Sequence, residues 1–346
     1  VKRLIFALPG DPDTRTGGYL YDKRLSAELR VLGWSIDLLR LPEVLANPAE
    51  VPEAERRLGA IPDGLPVMID GLALGLLPEA AKALAERGPL IALVHHPLAE
   101  ETGLTPGQVD RLRDLERAAL RPAQAIVVTS PATARSLTRN YAVGAERITV
   151  ALPGVDPAPL AEGTGSPFTL LSVGSLTRRK GQAVLLRALE QVSFVDFQLF
   201  LAGSPKREPE EAKRLQILAE DHRHSPRINF AGEVDEGKLA QLYRAADLFV
   251  LPSFHEGYGM VLTESLAHGV PVVATTAGAI PETLPPGTAR LVPPGDHAAL
   301  AATLETLMTE PLDYAALRTE ALAVRDHLPR WPETGLRVSR LLERLL

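Results

Sequence analysis

Phe254-His255-Glu256-Gly257-Tyr258-Gly259-Met260-Val261-Leu262-Thr263-Glu264-Ser265-Leu266-Ala267-His268-Gly269-Val270-Pro271 joins a strand end, a glycine-rich turn, a helix and a Gly-Val-Pro stop in one run. Glycines let backbone amides approach a ligand closely, and a helix starting just after them aims unpaired N–H groups and a positive dipole end at it. Glu264 falls inside the helix among Val261, Leu262, Leu266 and Ala267, where a carboxylate must find donors or carry a desolvation penalty. Ribose hydroxyls are such donors, while Glu256 and the amides of Gly257, Tyr258, Gly259 and Met260 suit a sugar and its phosphates. Paired glutamates are common by chance in a chain rich in them, so the surrounding composition carries the signal rather than the spacing.

On either side the pattern is one of short apolar runs alternating with helical segments. Runs at Leu4 to Leu8, Ile36 to Leu39, Val67 to Ile69, Leu90 to Val94, Ala125 to Val128 and Ile148 to Val150 read as strands buried on both faces. Helical spacing fills Tyr19 to Leu32, Pro78 to Arg87, Gln108 to Leu120 and Pro131 to Asn140. A connector dense in proline and glycine, Leu152 to Pro159 and Gly163 to Pro167, interrupts the alternation. It restarts with strands near Thr169, Gln198, Ile228, Leu248, Val272 and Arg290, separated by helices near Gln182, Glu210, Glu236, Met260 and His297. Repeated β and α elements predict an α/β protein of two Rossmann-like, doubly wound parallel sheets. The expected domains are 1–155 and 156–329, with a terminal amphipathic helix at about 330–346.

Length agrees, since 346 residues suit two domains of roughly 150 residues each. Apolar residues at 45% and charged residues at 23% are those of a globular chain, not a disordered or fibrous one. The formal charge of −6 gives no bulk attraction to phosphate backbones, so nucleic acid is not an expected partner. With no cysteine, thiolate nucleophiles and cysteine-ligated metals are excluded. No apolar stretch reaches the ~20 residues of a bilayer-spanning helix, and the run opening at Val1 stops too early at Pro9 for an export signal; the expected location is cytoplasmic. Arg111, Arg113, Arg117 and Arg121 alternate with Asp110, Asp114 and Glu116, which reads as a solvated helix face rather than a peripheral membrane contact.

In open α/β sheets ligands sit at the carboxyl ends of strands, which narrows the search to a few loops. After the first strand, Gly17 and Gly18 precede a helix and could admit an oxygen-rich ligand. The strand Leu90 to Val94 ends in His95 and His96, either of which could bind a sugar hydroxyl or orient a reacting group. In the second half, Val173-Gly174-Ser175-Leu176-Thr177-Arg178-Arg179-Lys180-Gly181 sets three cations beside a helix start. Cations there oppose the macrodipole unless an anion, such as a diphosphate, joins them.

These residues resemble the retaining glycosyltransferases of family 4, whose fold is GT-B, two Rossmann-like domains facing across a cleft. Glu256 to Glu264 looks like the family's EX7E motif, and Gly269 to Thr275 with Gly278 to Glu282 is similar to the family's segment on the carboxyl side of that motif. The resemblance implies that Glu256 contacts the transferred sugar, Glu264 the nucleotide ribose, and the amides from Gly257 to Met260 the diphosphate and sugar. It assigns Lys180 to the diphosphate, but Ser175 stands where the family usually has an arginine, leaving Arg178 or Arg179 as the compensating cation. His95, with His96 as competitor, looks like the histidine that contacts the donor sugar. Gly17 and Gly18 look like the glycine-rich first loop, and the backbone near Val234 is placed at the base. The implied partners are a nucleoside diphosphate sugar of UDP or GDP type and a hydroxyl acceptor that the sequence does not identify. No cofactor and no obligatory metal is expected. The terminal helix is implied to cross back to the first lobe. An epimerase on the same scaffold and a noncatalytic sugar-binding protein are the alternatives.

Overall fold

The computed structural model describes residues 2–43, 47–163, 165–192 and 195–346; Val1 of the opening run and Thr164 of the connector lie outside them. The chain divides into two compact units, Val1–Gly154 with Pro329–Leu346, and Val155–Leu328. Each holds a six-stranded sheet, with every strand pair parallel.

The first unit contains β1 (Arg3–Pro9), β2 (Ser35–Leu41), β3 (Val67–Asp70), β4 (Leu90–Val94), β5 (Ala125–Val128) and β6 (Ile148–Val150), in the order β2-β1-β3-β4-β5-β6. The chain moves from β1 to β2 on one side and then places β3 on the other, so the order reverses between β1 and β3. The second unit contains β7 (Phe168–Val173), β8 (Phe197–Ala202), β9 (Ile228–Gly232), β10 (Leu248–Leu251), β11 (Val272–Thr275) and β12 (Ala289–Val292), in the order β12-β11-β10-β7-β8-β9. There the reversal falls between β7 and β10. Such a reversal splays the flanking loops apart and opens a crevice at the carboxyl end of the sheet.

Strands β3, β4, β5 and β10 are buried at every position, as runs that are apolar apart from Asp70 at the end of β3 require when helices cover both faces. Burial on both faces fails for β2 and β6, which alternate or are half-buried, because the strand order puts them at the sheet edges. Four helices escape the sequence pattern, the short Gly71–Leu74 and Ile280–Thr283 and the longer Val51–Gly59 and Pro311–Ala323. The two longer ones bury Ala54 with Leu58 and Leu317 with Ala321. The last helix, Trp331–Glu343, belongs to the first unit, where Thr334 Oγ1 donates to Leu152 O at 2.6 Å and Trp34 Nε1 donates to Ser339 Oγ at 2.9 Å. Among the described residues no helix is long and apolar enough to cross a membrane.

The helix Pro106–Leu120 corrects one sequence expectation. Arg113 and Arg117 do pair with Asp110 and Asp114 on an outer face, but Glu116 is buried, its Oε2 accepting from the Leu98 amide at 3.0 Å just beyond the His95 loop. Burial pushes the Glu116 carboxyl up to about 8, against the pull of that amide. Its stabilising contribution is therefore complete below the ordinary carboxyl range and is lost as pH rises through about 8. Thermal melts at pH 6 and pH 9 are expected to show a lower midpoint at the higher pH, and Glu116→Gln to shrink that difference by several degrees, since about 1 kcal/mol moves such a domain by roughly 2–4 °C. An unchanged difference in the variant would contradict a buried, proton-holding Glu116.

Candidate functional site

The second unit's reversal point gathers the loops after β7 and β10. After β7 a short turn, Arg178–Lys180, leads through Gly181 into the helix Gln182–Leu189. Gly181 is left-handed at φ +69, and a Cβ there would lie 2.1 Å from the Pro252 carbonyl oxygen. Only glycine lets these two loops touch. The Phe254 amide then donates to Arg179 O at 2.8 Å, stapling one loop to the other.

Glu256 sits at the centre, 5% exposed. Its Oε1 accepts from Lys180 Nζ at 2.7 Å and from Ser253 Oγ at 2.7 Å. Arg179 Nη1 donates to the His255 carbonyl at 2.8 Å and reaches Glu256 Oε2 at 3.4 Å. Burial opposes ionisation, yet Lys180 and then Arg179 outweigh it and hold the carboxyl down to about 2. Glu256 is thus anionic at any physiological pH, and the stability its pairing adds is present above the ordinary carboxyl range and lost only as pH falls toward about 2. Arg178 points elsewhere, with Nε 3.8 Å from Glu211 and a side chain 71% exposed. Of the two candidate arginines, the one that joins the Glu256 cluster is Arg179.

Gly257, Tyr258 and Gly259 come next and lead into the helix Met260–Ala267, with Gly259 left-handed at its N-cap. Glu264 is half-buried on that helix and accepts from the Tyr243 hydroxyl at 3.1 Å. Burial and the charge of Asp156 raise its pKa against that hydrogen bond. Tyr243 is the donor that the sequence left unnamed; it is buried and stacks on His268 at 5.0 Å. Ser253, equally unnamed, stands three residues before Glu256, the reach at which a hydroxyl meets a following side chain in a tight turn. Ser175 lies where the loops after β7 and β8 meet, its carbonyl accepting from Gln182 Nε2 at 3.1 Å. Val234 comes after β9, half-buried against the apolar layer around Tyr243 and Leu242.

The remaining candidates lie in the first unit, at its own reversal point. Gly17 and Gly18 open the helix Gly17–Val31, capped by Thr16 Oγ1. His95 Nε2 lies 3.1 Å from Asp22 Oδ1 and 3.4 Å from Asp70 Oδ2, both carboxylates being buried. That edge of the ring is therefore not the one available to a sugar hydroxyl. His96 turns instead to Glu101, at 3.5 Å. Asp22, Asp70 and His95 are the described groups whose ligand atoms cluster within 4.8 Å, an arrangement a divalent cation would also use. Here one ring nitrogen, Nε2, faces both carboxyl groups.

Two family profiles cover most of the chain. The one described as "Glycosyl transferases group 1" matches residues 161–323, and the one described as "Glycosyltransferase Family 4" matches residues 25–159. The chain belongs to glycosyltransferase family 4. Among its relatives, the D-inositol 3-phosphate glycosyltransferase of Corynebacterium kroppenstedtii is 30% identical over 278 residues, 73% of this chain and 60% of that one. The chain spans about half the length of several other relatives of the same description. Among solved structures, sucrose-phosphate synthase from Thermosynechococcus elongatus superposes with a TM-score of 0.83 at 22% identity, covering 99% of this chain and 98% of that one. The Anabaena HepE protein in complex with UDP-glucose gives 0.79 at 19% identity, covering 99% and 100%. The family 4 fold, GT-B, is thereby that of this chain.

Backbone geometry around Glu256 also gives a direct test. Gly278 is left-handed at φ +57, and a Cβ on it would lie 2.3 Å from the Glu256 carbonyl oxygen, which the Ala279 amide already occupies at 2.9 Å. Gly278→Ala is expected to cost roughly 1–3 kcal/mol through strain and overpacking, read as a lower melting midpoint, and to displace the Glu256 peptide. A midpoint equal to wild type would contradict this packing.

Proposed function

We propose that this chain moves a glycosyl unit from a nucleoside diphosphate sugar to an acceptor hydroxyl, with retention at the anomeric carbon. The observation that carries the reading is the buried Glu256, balanced by Lys180 and Arg179 beside the glycine-led start of the helix Met260–Ala267. A diphosphate competes for the two cations and accepts from the helix-end amides. Glu256, released from them, is then an acceptor for the hydroxyls of the transferred sugar. The cluster holds charge in a form that donor binding exchanges.

As the bond between the anomeric carbon and the diphosphate breaks, negative charge grows on the leaving phosphate. Lys180, Arg179 and the amides are already placed to stabilise it, which is where a positioned electrostatic site contributes most. Arg179 thereby takes the part left vacant by Ser175. Attack comes from the same face as departure, with a donor phosphate oxygen helping to accept the acceptor's proton. With this charge balance no divalent metal is required, and turnover should persist in a chelator. Glu264 holds the ribose together with Tyr243, and the backbone near Val234 meets the base. The second unit takes the donor, and the first supplies the acceptor side. Support for a nucleotide sugar comes from the UDP-glucose complex of the similar Anabaena protein and from the glycosyltransferase names of the relatives.

The test is release of nucleoside diphosphate from a panel of UDP and GDP sugars, with and without hydroxyl acceptors. Glu256→Gln, Lys180→Ala and Arg179→Ala are expected to lose about 10²–10³ in turnover while remaining folded, and Arg178→Ala to lose little. Full rates in Glu256→Gln and Lys180→Ala would overturn the reading. An isomerised sugar formed from donor alone would replace transfer with epimerisation.

A further inference from the structure

Three residues that no sequence motif links converge at the reversal point of the first sheet. Asp22 comes from the helix after β1, Asp70 ends β3, and His95 sits just past β4. Since β1 and β3 flank the reversal and β4 lies next to β3, the cluster occupies the position where open α/β sheets hold their ligands.

Both carboxylates address one atom. His95 Nε2 is 3.1 Å from Asp22 Oδ1 and 3.4 Å from Asp70 Oδ2, and Asp22 and Asp70 are 0% and 1% exposed. A single Nε2–H shared by two acids fixes the ring's orientation. Tyr21 closes one side, its ring edge-on to the imidazole at 5.3 Å, and Gly18 closes another, a Cβ there lying 3.5 Å from His95 Cδ2. Asp70 is itself held, with Oδ1 accepting from the Leu72 amide at 2.6 Å. Asp22 Oδ2 is sealed from solvent with no partner among the described residues. Its charge thus depends on the imidazole that Oδ1 faces. His95 Nδ1 has no protein partner among the described residues and is not one of the sealed atoms.

We propose that Asp22 and Asp70 are positioning residues that bind the Nε2 edge of His95, leaving a cationic Nδ1–H as the one group this imidazole offers. Such a group donates to an oxygen lone pair of the substrate, either a sugar hydroxyl oxygen or an anionic oxygen. It cannot act as a general base. The titratable groups facing the ring are Asp22, Asp70 and Tyr21. Burial disfavours the charged ring, but Asp22 and then Asp70 reverse that and raise its pKa, while burial raises Asp22 as well against the pull of His95. With two carboxyl groups within 3.4 Å of Nε2, the ring holds its proton to a pH above the ordinary histidine range. The role in transfer rests on the glycosyl-transfer reading; the state of the ring does not.

The experiment is histidine nitrogen NMR on the full chain from pH 6 to 9, with His95→Gln to assign the signal, alongside donor turnover over the same range. Wild-type His95 is expected to stay protonated throughout. Asp22→Asn, which keeps the shape but removes the charge, is expected to move the titration down toward the ordinary histidine value. Adding Asp70→Asn should complete that shift, after which turnover falls about tenfold per pH unit above ~6.5. Asp22→Glu should restore the protonated signal in part. A neutral His95 at pH 7 in wild type, or a signal and pH profile unmoved by Asp22→Asn, would overturn the proposal. So would turnover that ignores the altered ring while Lys180→Ala abolishes it. If Lys180→Ala and Glu256→Gln turn over normally, the transfer reading fails instead, and the imidazole spectrum still decides the cluster.

Discussion

A carboxylate removed from water without compensation is too costly for a folded protein to keep. Glu256 is kept ionised because Lys180, Arg179 and Ser253 reach it together, and that requirement organises the second unit. The cations come from the loop after β7 and the carboxylate from the loop after β10, the two strands between which the sheet order reverses. Gly181 and Gly278 matter for the same reason, since each sits where a side chain would push apart the backbones that carry these groups. An ion cluster at a crevice differs from one in a core in having a competitor: an anionic ligand can take the cations.

The first unit meets the same cost with the signs exchanged. Its central group is an imidazole and its flanks are two buried acids, again at a strand-order reversal. Both units thus place a network of opposed charges at the carboxyl end of a parallel sheet, where fold geometry leaves room for a ligand. Glu116 shows the contrast: a buried carboxyl held by the Leu98 amide has its proton affinity raised rather than lowered.

Much of this was legible in the sequence because it depends on local patterns. Fully buried parallel strands are written as continuous apolar runs, and Glu256, Glu264 and their glycines stand within one strand-turn-helix segment. The cationic triplet was visible too, but choosing Arg179 over Arg178 needed the Glu211 carboxylate that draws Arg178 outward. Asp22 and Tyr243 were illegible for a different reason. Asp22 lies 73 residues from His95 and Tyr243 lies 21 from Glu264, and such pairings arise only once strands are ordered in a sheet.

On the glycosyl-transfer reading, the Glu256 cluster exchanges its cations for a diphosphate. A crystal structure of the full chain with UDP or GDP bound decides whether it does. Lys180 Nζ is expected to have left its 2.7 Å contact with Glu256 for a phosphate oxygen, with Arg179 alongside and the second phosphate at the amides that start the helix Met260–Ala267. Nucleotide bound elsewhere, with the Lys180–Glu256 pair intact, would contradict it.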